Sequence, residues 1–110
     1  MNWIDMDTEA VLESAVKESF NNKGIAIFKH STRCATSSVA KSRLSSKWNF
    51  KSDLPIYHLD LIRYRELSNL ISNRFNVRHE SPQLLLIKDG KCIYHASHLG
   101  ISVKEINEYV

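Results

Sequence analysis

The sequence predicts an α/β fold in three layers, a mixed central sheet with helices on both faces. Two observations carry that expectation. Short apolar runs alternate with helical periodicities along much of the chain, the pattern of parallel strands joined by helices. Near the C-terminus, Lys88-Asp89-Gly90-Lys91 is a turn signal between two strand-like runs, which adds an antiparallel hairpin at the sheet edge. A length of 110 residues suits one domain over the whole chain, with one core.

The elements follow in the order β-α-β-α-β-α-β-β-α. Trp3 to Met6 reads as a short strand. Asp7 or Thr8 can cap a helix, with Glu9 well placed in its first turn. Leu12, Ala15, Val16 and Phe20 form one face of that helix, and Asn21-Asn22-Lys23-Gly24 ends it. Gly24 to Lys29 is a short apolar run, best read as a buried strand. His30 to Cys34 reads as a turn, and Ala40, Leu44 and Trp48 mark the next helix, with Trp48 expected in the core. Asp53-Leu54-Pro55 breaks the chain before a strand over Ile56 to Asp60. Leu67, Leu70, Ile71 and Phe75 mark a third helix, and His79-Glu80-Ser81-Pro82 is a loop. Gln83 to Ile87 and Cys92 to His95 are the hairpin strands. Beyond Gly100, Ser102 and Glu105 are expected to form a capping box, with Ile101 and Ile106 as a hydrophobic staple.

Composition excludes several classes. No apolar run approaches the roughly 18 residues that a membrane span needs. The N-terminal residues lack the basic-then-apolar pattern of a secretory signal, so a cytoplasmic location is expected. The formal net charge is only +3, and the bases are scattered rather than interleaved with aromatics, which argues against nucleic-acid binding. The stretch from Lys23 to Lys51 is basic without an acid, which suits an anionic small molecule or an acidic protein partner. Of the two cysteines, Cys34 and Cys92, neither belongs to a Cys-x-x-Cys pair. A structural disulfide and a zinc site are therefore not expected.

Cys34 carries the chemistry. It lies just after a buried strand and at the start of a helix, where the first-turn N–H groups lack intrahelical partners and favour an anion. Arg33 adds a positive charge, and Ser37 can donate a hydrogen bond from one turn along. All three effects favour the thiolate, the form that attacks disulfides. A buried structural cysteine fits poorly among Ser31, Thr32, Arg33, Thr36, Ser37 and Ser38. Cys92, in a strand beside Ile93 and Tyr94, reads as a core residue, and a resolving role would need Cys34 within disulfide reach. His30, near the active turn, is read as making a structural hydrogen bond rather than binding metal.

A strand, then Cys34-Ala35-Thr36-Ser37 opening a helix, and later Pro82 opening a strand resemble the thioredoxin fold. More narrowly, His30-Ser31-Thr32-Arg33-Cys34, His79-Glu80-Ser81-Pro82-Gln83 and Lys88-Asp89-Gly90-Lys91 resemble the monothiol bacilliredoxins, a thioredoxin-like family tied to the thiol bacillithiol. The resemblance covers nearly the full length. It implies that Cys34 is the redox-active cysteine and that Ser37 stands where dithiol relatives carry a resolving cysteine. It implies a cis bond before Pro82, with the Ser81 backbone offered to a bound thiol or peptide as an edge strand would be. Many relatives have proline after the cysteine, whereas this chain has Ala35, which leaves one more N–H donor near the sulfur. The residues expected to meet the substrate are thus Thr32, Arg33, Ala35, Ser37, Ser81 and Pro82.

The implied activity is removal of bacillithiol from protein mixed disulfides, with bacillithiol as co-substrate, thiolated client proteins as partners, and no bound cofactor, nucleic acid or membrane. Three alternatives stay open. One is a glutaredoxin-like monothiol protein that uses glutathione or holds an iron–sulfur cluster. Another is a thioredoxin-fold binding module without turnover. The last is a weak nucleic-acid binder.

Overall fold

The computed structural model describes residues 1–21, 23–50 and 53–110. Asn22, expected to help end the first helix, and Lys51, the last base of the basic stretch, lie outside the described residues. The strands are β1 (Trp3–Asp5), β2 (Ile25–His30), β3 (Ile56–Asp60), β4 (Gln83–Lys88) and β5 (Lys91–Ser97), and the helices are α1 (Glu9–Glu18), α2 (Ala35–Lys47), α3 (Arg65–Phe75) and α4 (Val103–Glu108). They form one five-stranded sheet in the order β1-β3-β2-β4-β5. β1 and β2 run parallel to β3, while β4 is antiparallel to both β2 and β5. The mixed sheet follows from the connections. Helices return the chain for parallel pairing, and the tight hairpin reverses it.

β2 is central, and every one of its residues is buried. Because side chains alternate across a strand, Ile25 and Ile27 pack with Leu12, Leu59, Ile71 and Leu85 on the face covered by α1 and α3. Ala26 and Phe28 pack with Ala40, Leu44, Leu84 and Ile106 on the face covered by α2 and α4. Burial on both sides explains why the run is continuously apolar rather than alternating. The same alternation continues past the core and sets Lys29 on the α3 face and His30 on the α2 face.

Two turns fix the frame. Gly24 has a φ of +101°, and a Cβ there would meet the Ile87 carbonyl oxygen at 2.4 Å, so only glycine fits. Asp89 and Gly90 both have positive φ, the signature of a type I′ hairpin turn. The turn is tied to the end of α1, since the Asp89 and Gly90 N–H groups donate to the Ser19 carbonyl and hydroxyl, each at 2.9 Å.

Some local expectations are borne out and others are corrected. α1 ends at Glu18, so Phe20 lies beyond the helix and is exposed rather than on its core face. Leu70 sits at the solvent edge of α3, beside buried Leu67 and Ile71. Trp48, the C-cap of α2, packs half-buried against the core on the α2 face as expected, edge-on to Phe50. Thr8 is the N-cap of α1, its hydroxyl accepting from Val11 N–H. At α4 only half of the capping box forms. Ser102 Oγ accepts from Glu105 N–H, but the Glu105 carboxylate accepts from Tyr94 Oη at 2.6 Å instead of returning to Ser102.

Candidate active site

The C-terminal end of β2 gathers the chemistry. His30 closes the strand, and its carbonyl accepts from Leu61 N–H at 3.0 Å. A turn follows, closed by a hydrogen bond from Cys34 N–H to the Ser31 carbonyl at 3.2 Å. Cys34 is the N-cap of α2, with extended backbone, and its carbonyl accepts the first helical bond from Ser38 N–H. Its side chain is half-buried and makes no capping hydrogen bond. The amides of Ala35, Thr36 and Ser37 have no intrahelical acceptor at this end. A sulfur anion here would thus sit at the positive end of a helix of 13 residues.

Thr32, Arg33 and Ala35 are exposed around the sulfur. Arg33 makes no hydrogen bond or ion pair with any described residue. Ser37 is fully buried. Its hydroxyl does not serve Cys34. Ser37 Oγ accepts from Ser31 N–H at 3.0 Å and shares a hydrogen bond of 2.6 Å with His30 Nδ1. The expected donation to Cys34 is therefore replaced by a brace that holds the turn to the strand. His30 does make a structural hydrogen bond, and its ring also stacks on Phe28 and lies 5.3 Å from His58, centroid to centroid.

Pro82 is buried, and the Ser81–Pro82 peptide is cis. Antiparallel pairing of Lys29 with Gln83 puts the entry to β4 level with the end of β2, so the Ser81–Pro82 loop and the Cys34 turn share one sheet end. The Pro82 carbonyl accepts from His98 N–H at 2.9 Å. Ser81 makes no backbone hydrogen bond with any described residue, which leaves its N–H and C=O open to an added strand. Its hydroxyl is buried without a partner.

Cys92 lies elsewhere. It pairs with Ile87, which pairs with Ile25 at the opposite end of β2. Five residues of strand separate that level from His30, about 16 Å at the usual rise, and the disulfide limit is about 7 Å between Cα atoms. Cys92 also packs on the α1–α3 face, away from α2. Burial pushes its thiol pKa up. It is a packing residue with no access to Cys34 within one molecule.

Lys29 is the residue that sequence reasoning missed. Its side chain is fully buried, and its ammonium donates to the Ser68 carbonyl at 3.0 Å, to Ser72 Oγ at 2.9 Å and to His79 Nδ1 at 3.4 Å. Three donors meet three neutral acceptors. No carboxylate is paired with it among the described residues, and burial lowers its pKa from 10.5 to about 8. Through His79 it pins the loop that leads to Ser81 and Pro82. The signal was a lysine following four apolar residues in a central strand, where solvent has no access. The charged form is penalised only in the folded state, so that penalty is fully present below about pH 8 and is relieved as the pH rises toward 10.5. A Lys29→Met variant lacks this dependence. Its stability relative to the parent is expected to fall by about 2–3 kcal/mol between about pH 7 and pH 10. Denaturant melts across that range check it, and a constant difference would refute the assignment.

Burial also lowers the pKa values of His30, His58 and His79 below the ordinary 6.5. Positive neighbours add to the effect: His58 and Lys41 for His30, Lys41 for His58, and Lys29 and Arg65 for His79. Opposing pulls come from Asp60 on His30, from Asp5 and Asp60 on His58, and from Glu80 on His79. Because the unfolded chain takes up these protons more readily, the stabilisation is complete above 6.5 and is lost as the pH falls through the lower folded values. Urea melts are expected to show a lower midpoint at about pH 5.5 than at about pH 7.5. An equal or higher midpoint at acid pH would contradict this account.

Among the described residues, no group of three or more His, Cys, Asp or Glu is placed to hold a metal ion, and no helix is long and apolar enough to cross a membrane.

Comparison with known proteins agrees with this geometry. The family model described as "Monothiol bacilliredoxin BrxC" matches residues 4–106. A solved structure described as a candidate oxidoreductase with a thioredoxin fold is 28% identical, covers 97% of this chain and 92% of its own, and superposes with a TM-score of 0.83. Thioredoxin from Fasciola hepatica is 17% identical over 96% of this chain and 93% of its own, with a TM-score of 0.72. A thioredoxin variant from Halobacterium salinarum is 12% identical over 97% and 86%, with a TM-score of 0.73. These last two likenesses show the fold alone, which is the thioredoxin fold.

Proposed function

Since the chain belongs to the monothiol bacilliredoxin BrxC family, we propose that this thiol oxidoreductase removes bacillithiol from protein mixed disulfides, with Cys34 as its attacking sulfur. The observation that carries the reading is the setting of Cys34. It is a half-buried N-cap cysteine with no capping bond, at the same sheet end as a cis-proline, and with no second sulfur in reach.

The chemistry follows from that count of sulfurs. The Cys34 thiolate attacks the bacillithiol sulfur of a client–S–S–bacillithiol bond. That S–S bond breaks, a Cys34–S–S–bacillithiol bond forms, and the client leaves as a thiolate that takes a proton from water. With serine at position 37, no local disulfide can expel the carried thiol. A second bacillithiol thiolate, or the thiolate of another reductase, attacks its sulfur and takes it as a new disulfide, regenerating the Cys34 thiolate. Thr32, Arg33 and Ala35 border the sulfur from the turn and the helix start. The open backbone of Ser81, held level with it by Pro82, suits an extended partner. Arg33 is the cation nearest in sequence to the sulfur and suits the carboxylates of an anionic small thiol. The protein acts in the cytoplasm in this reading, where small thiols are kept reduced.

Intact-protein mass after exposure to equal amounts of bacillithiol disulfide and glutathione disulfide tests the choice of thiol. A faster adduct of bacillithiol mass on Cys34 is the expected result. A preference for glutathione would move the protein to glutaredoxin-type chemistry, and no adduct at Cys34 would leave a binding module.

A further inference from the structure

From Cys34, α2 leads away along an exposed strip. Ala35, Val39, Arg43 and Lys47 recur at every fourth position, and all four are exposed. That spacing sets each beside the next, in a strip that winds slowly round the helix over about 18 Å. Beside the far end of the strip stands Leu99, 65% exposed, on the short 3-10 turn His98–Gly100. It shares a shallow cavity of about 130 Å³ with Arg43, Lys47 and Lys104. The turn is joined to the active end, because His98 N–H donates to the Pro82 carbonyl.

Along α2 the charges are of one sign. No acidic residue occurs between Glu18 and Asp53 in the sequence. The side chains of Arg43, Lys47 and Lys104 have no hydrogen-bond or ion-pair partner among the described residues. Of the acids that border the region, Glu105 is engaged with Tyr94 Oη and Glu80 with the Ser97 side chain, while Glu108 lies one turn beyond Lys104 on α4. A leucine this exposed inside a ring of cations offers an apolar anchor with a charged rim, the anatomy of a protein-docking spot.

We propose that this strip docks an acidic, extended segment of the client protein, with an apolar client side chain against Leu99 and client carboxylates on Arg43, Lys47 and Lys104. The strip is long enough for five or six extended residues, which places the client cysteine at Cys34 when the acidic residues reach Lys47. A nucleic acid fits less well. Phosphates have no use for Leu99 and Val39, and no aromatic side chain stands on the strip for a base to stack on. The proposal rests on Cys34 being the attacking sulfur.

The test uses two synthetic peptides, each with one cysteine carried as a bacillithiol mixed disulfide. One has Glu and Leu near the cysteine, and the other has Lys and Leu. Transfer to Cys34 is timed at low and high salt for the parent, for an Arg43→Glu/Lys47→Glu variant and for Leu99→Ser. The acidic peptide is expected to react about tenfold faster than the basic one at low salt, and salt should shrink that advantage. The double variant should reverse the preference, and Leu99→Ser should slow the acidic peptide several-fold. Bacillithiol disulfide alone, too small to reach Arg43, Lys47 or Leu99 from Cys34, should react equally with all three proteins. Equal rates for the two peptides, or variants without effect, would overturn the docking surface while leaving Cys34 chemistry intact. If bacillithiol disulfide also failed to react, both would fall. Binding of a short RNA or DNA that is lost in the double variant, without any peptide preference, would likewise overturn it.

Discussion

Cys34→Ser is expected to reduce removal of bacillithiol from a client by at least ~1,000-fold, because a serine hydroxyl is not ionised at neutral pH and does not attack disulfides. The fold should be indifferent to the change. The Cys34 side chain is half-buried and makes no capping hydrogen bond, and serine is a preferred N-cap residue. Unfolding free energy is expected to stay the same or rise by up to about 1 kcal/mol. Cys92→Ser should show the opposite signature. Cys92 packs against the α1–α3 core and its Sγ donates to the Tyr94 carbonyl, so stability falls by about 1 kcal/mol while exchange proceeds. Rates and urea melts of the two variants side by side make the check. Exchange persisting in the Cys34 variant would end the proposed mechanism.

Phe28→Ala is expected to have the largest effect on stability, a loss of about 3–5 kcal/mol. Phe28 is fully buried in the central strand, on the face covered by α2. Its ring lies 5.6 Å from that of Trp3 and stacks on His30 at 5.8 Å, centroid to centroid. Removing it opens a cavity beneath the His30–Ser37 brace. The brace, in turn, holds the Ser31 turn that delivers Cys34 to the helix start. The loss should therefore reach the chemistry as well. At temperatures where the variant is still folded, Cys34 alkylation is expected to change in rate, while Ile71→Ala, on the other face of the sheet, should cost similar stability and leave that rate near the parent's. Equal effects of the two variants on alkylation would show that the brace does not position Cys34.

The contrast between those two variants marks where sequence ends and tertiary structure begins. The elements themselves were legible, because each rests on local physics. Alternation of apolar runs and helical faces identified strands and helices, and Asp89-Gly90 specified its turn because both residues tolerate positive φ. Cys34 was legible for the same reason, since a polar turn between a buried strand and a helix start is a local pattern. Edges were less so. Phe20 and Leu70 matched the helical period but met solvent, because periodicity reports a face without saying where the partner layer stops. Glu105 matched a capping box, but Tyr94 from a neighbouring strand took its carboxylate.

What sequence by itself determined was the fold class, the order of elements and the placing of Cys34 in a polar turn between a buried strand and a helix start. Only the tertiary structure decided what surrounds it. Ser37 turned from a partner of the sulfur into a buried brace because His30 and Ser31, seven and six residues away, come within 3.0 Å of it. Lys29 became a buried ammonium pinning the cis-proline loop because α3 supplies Ser68 and Ser72 some forty residues on. Cys92 was removed from the chemistry because antiparallel register carries it to the far end of the sheet. Each of these depends on contacts between segments distant in sequence, where pairing geometry rather than local preference selects the neighbour.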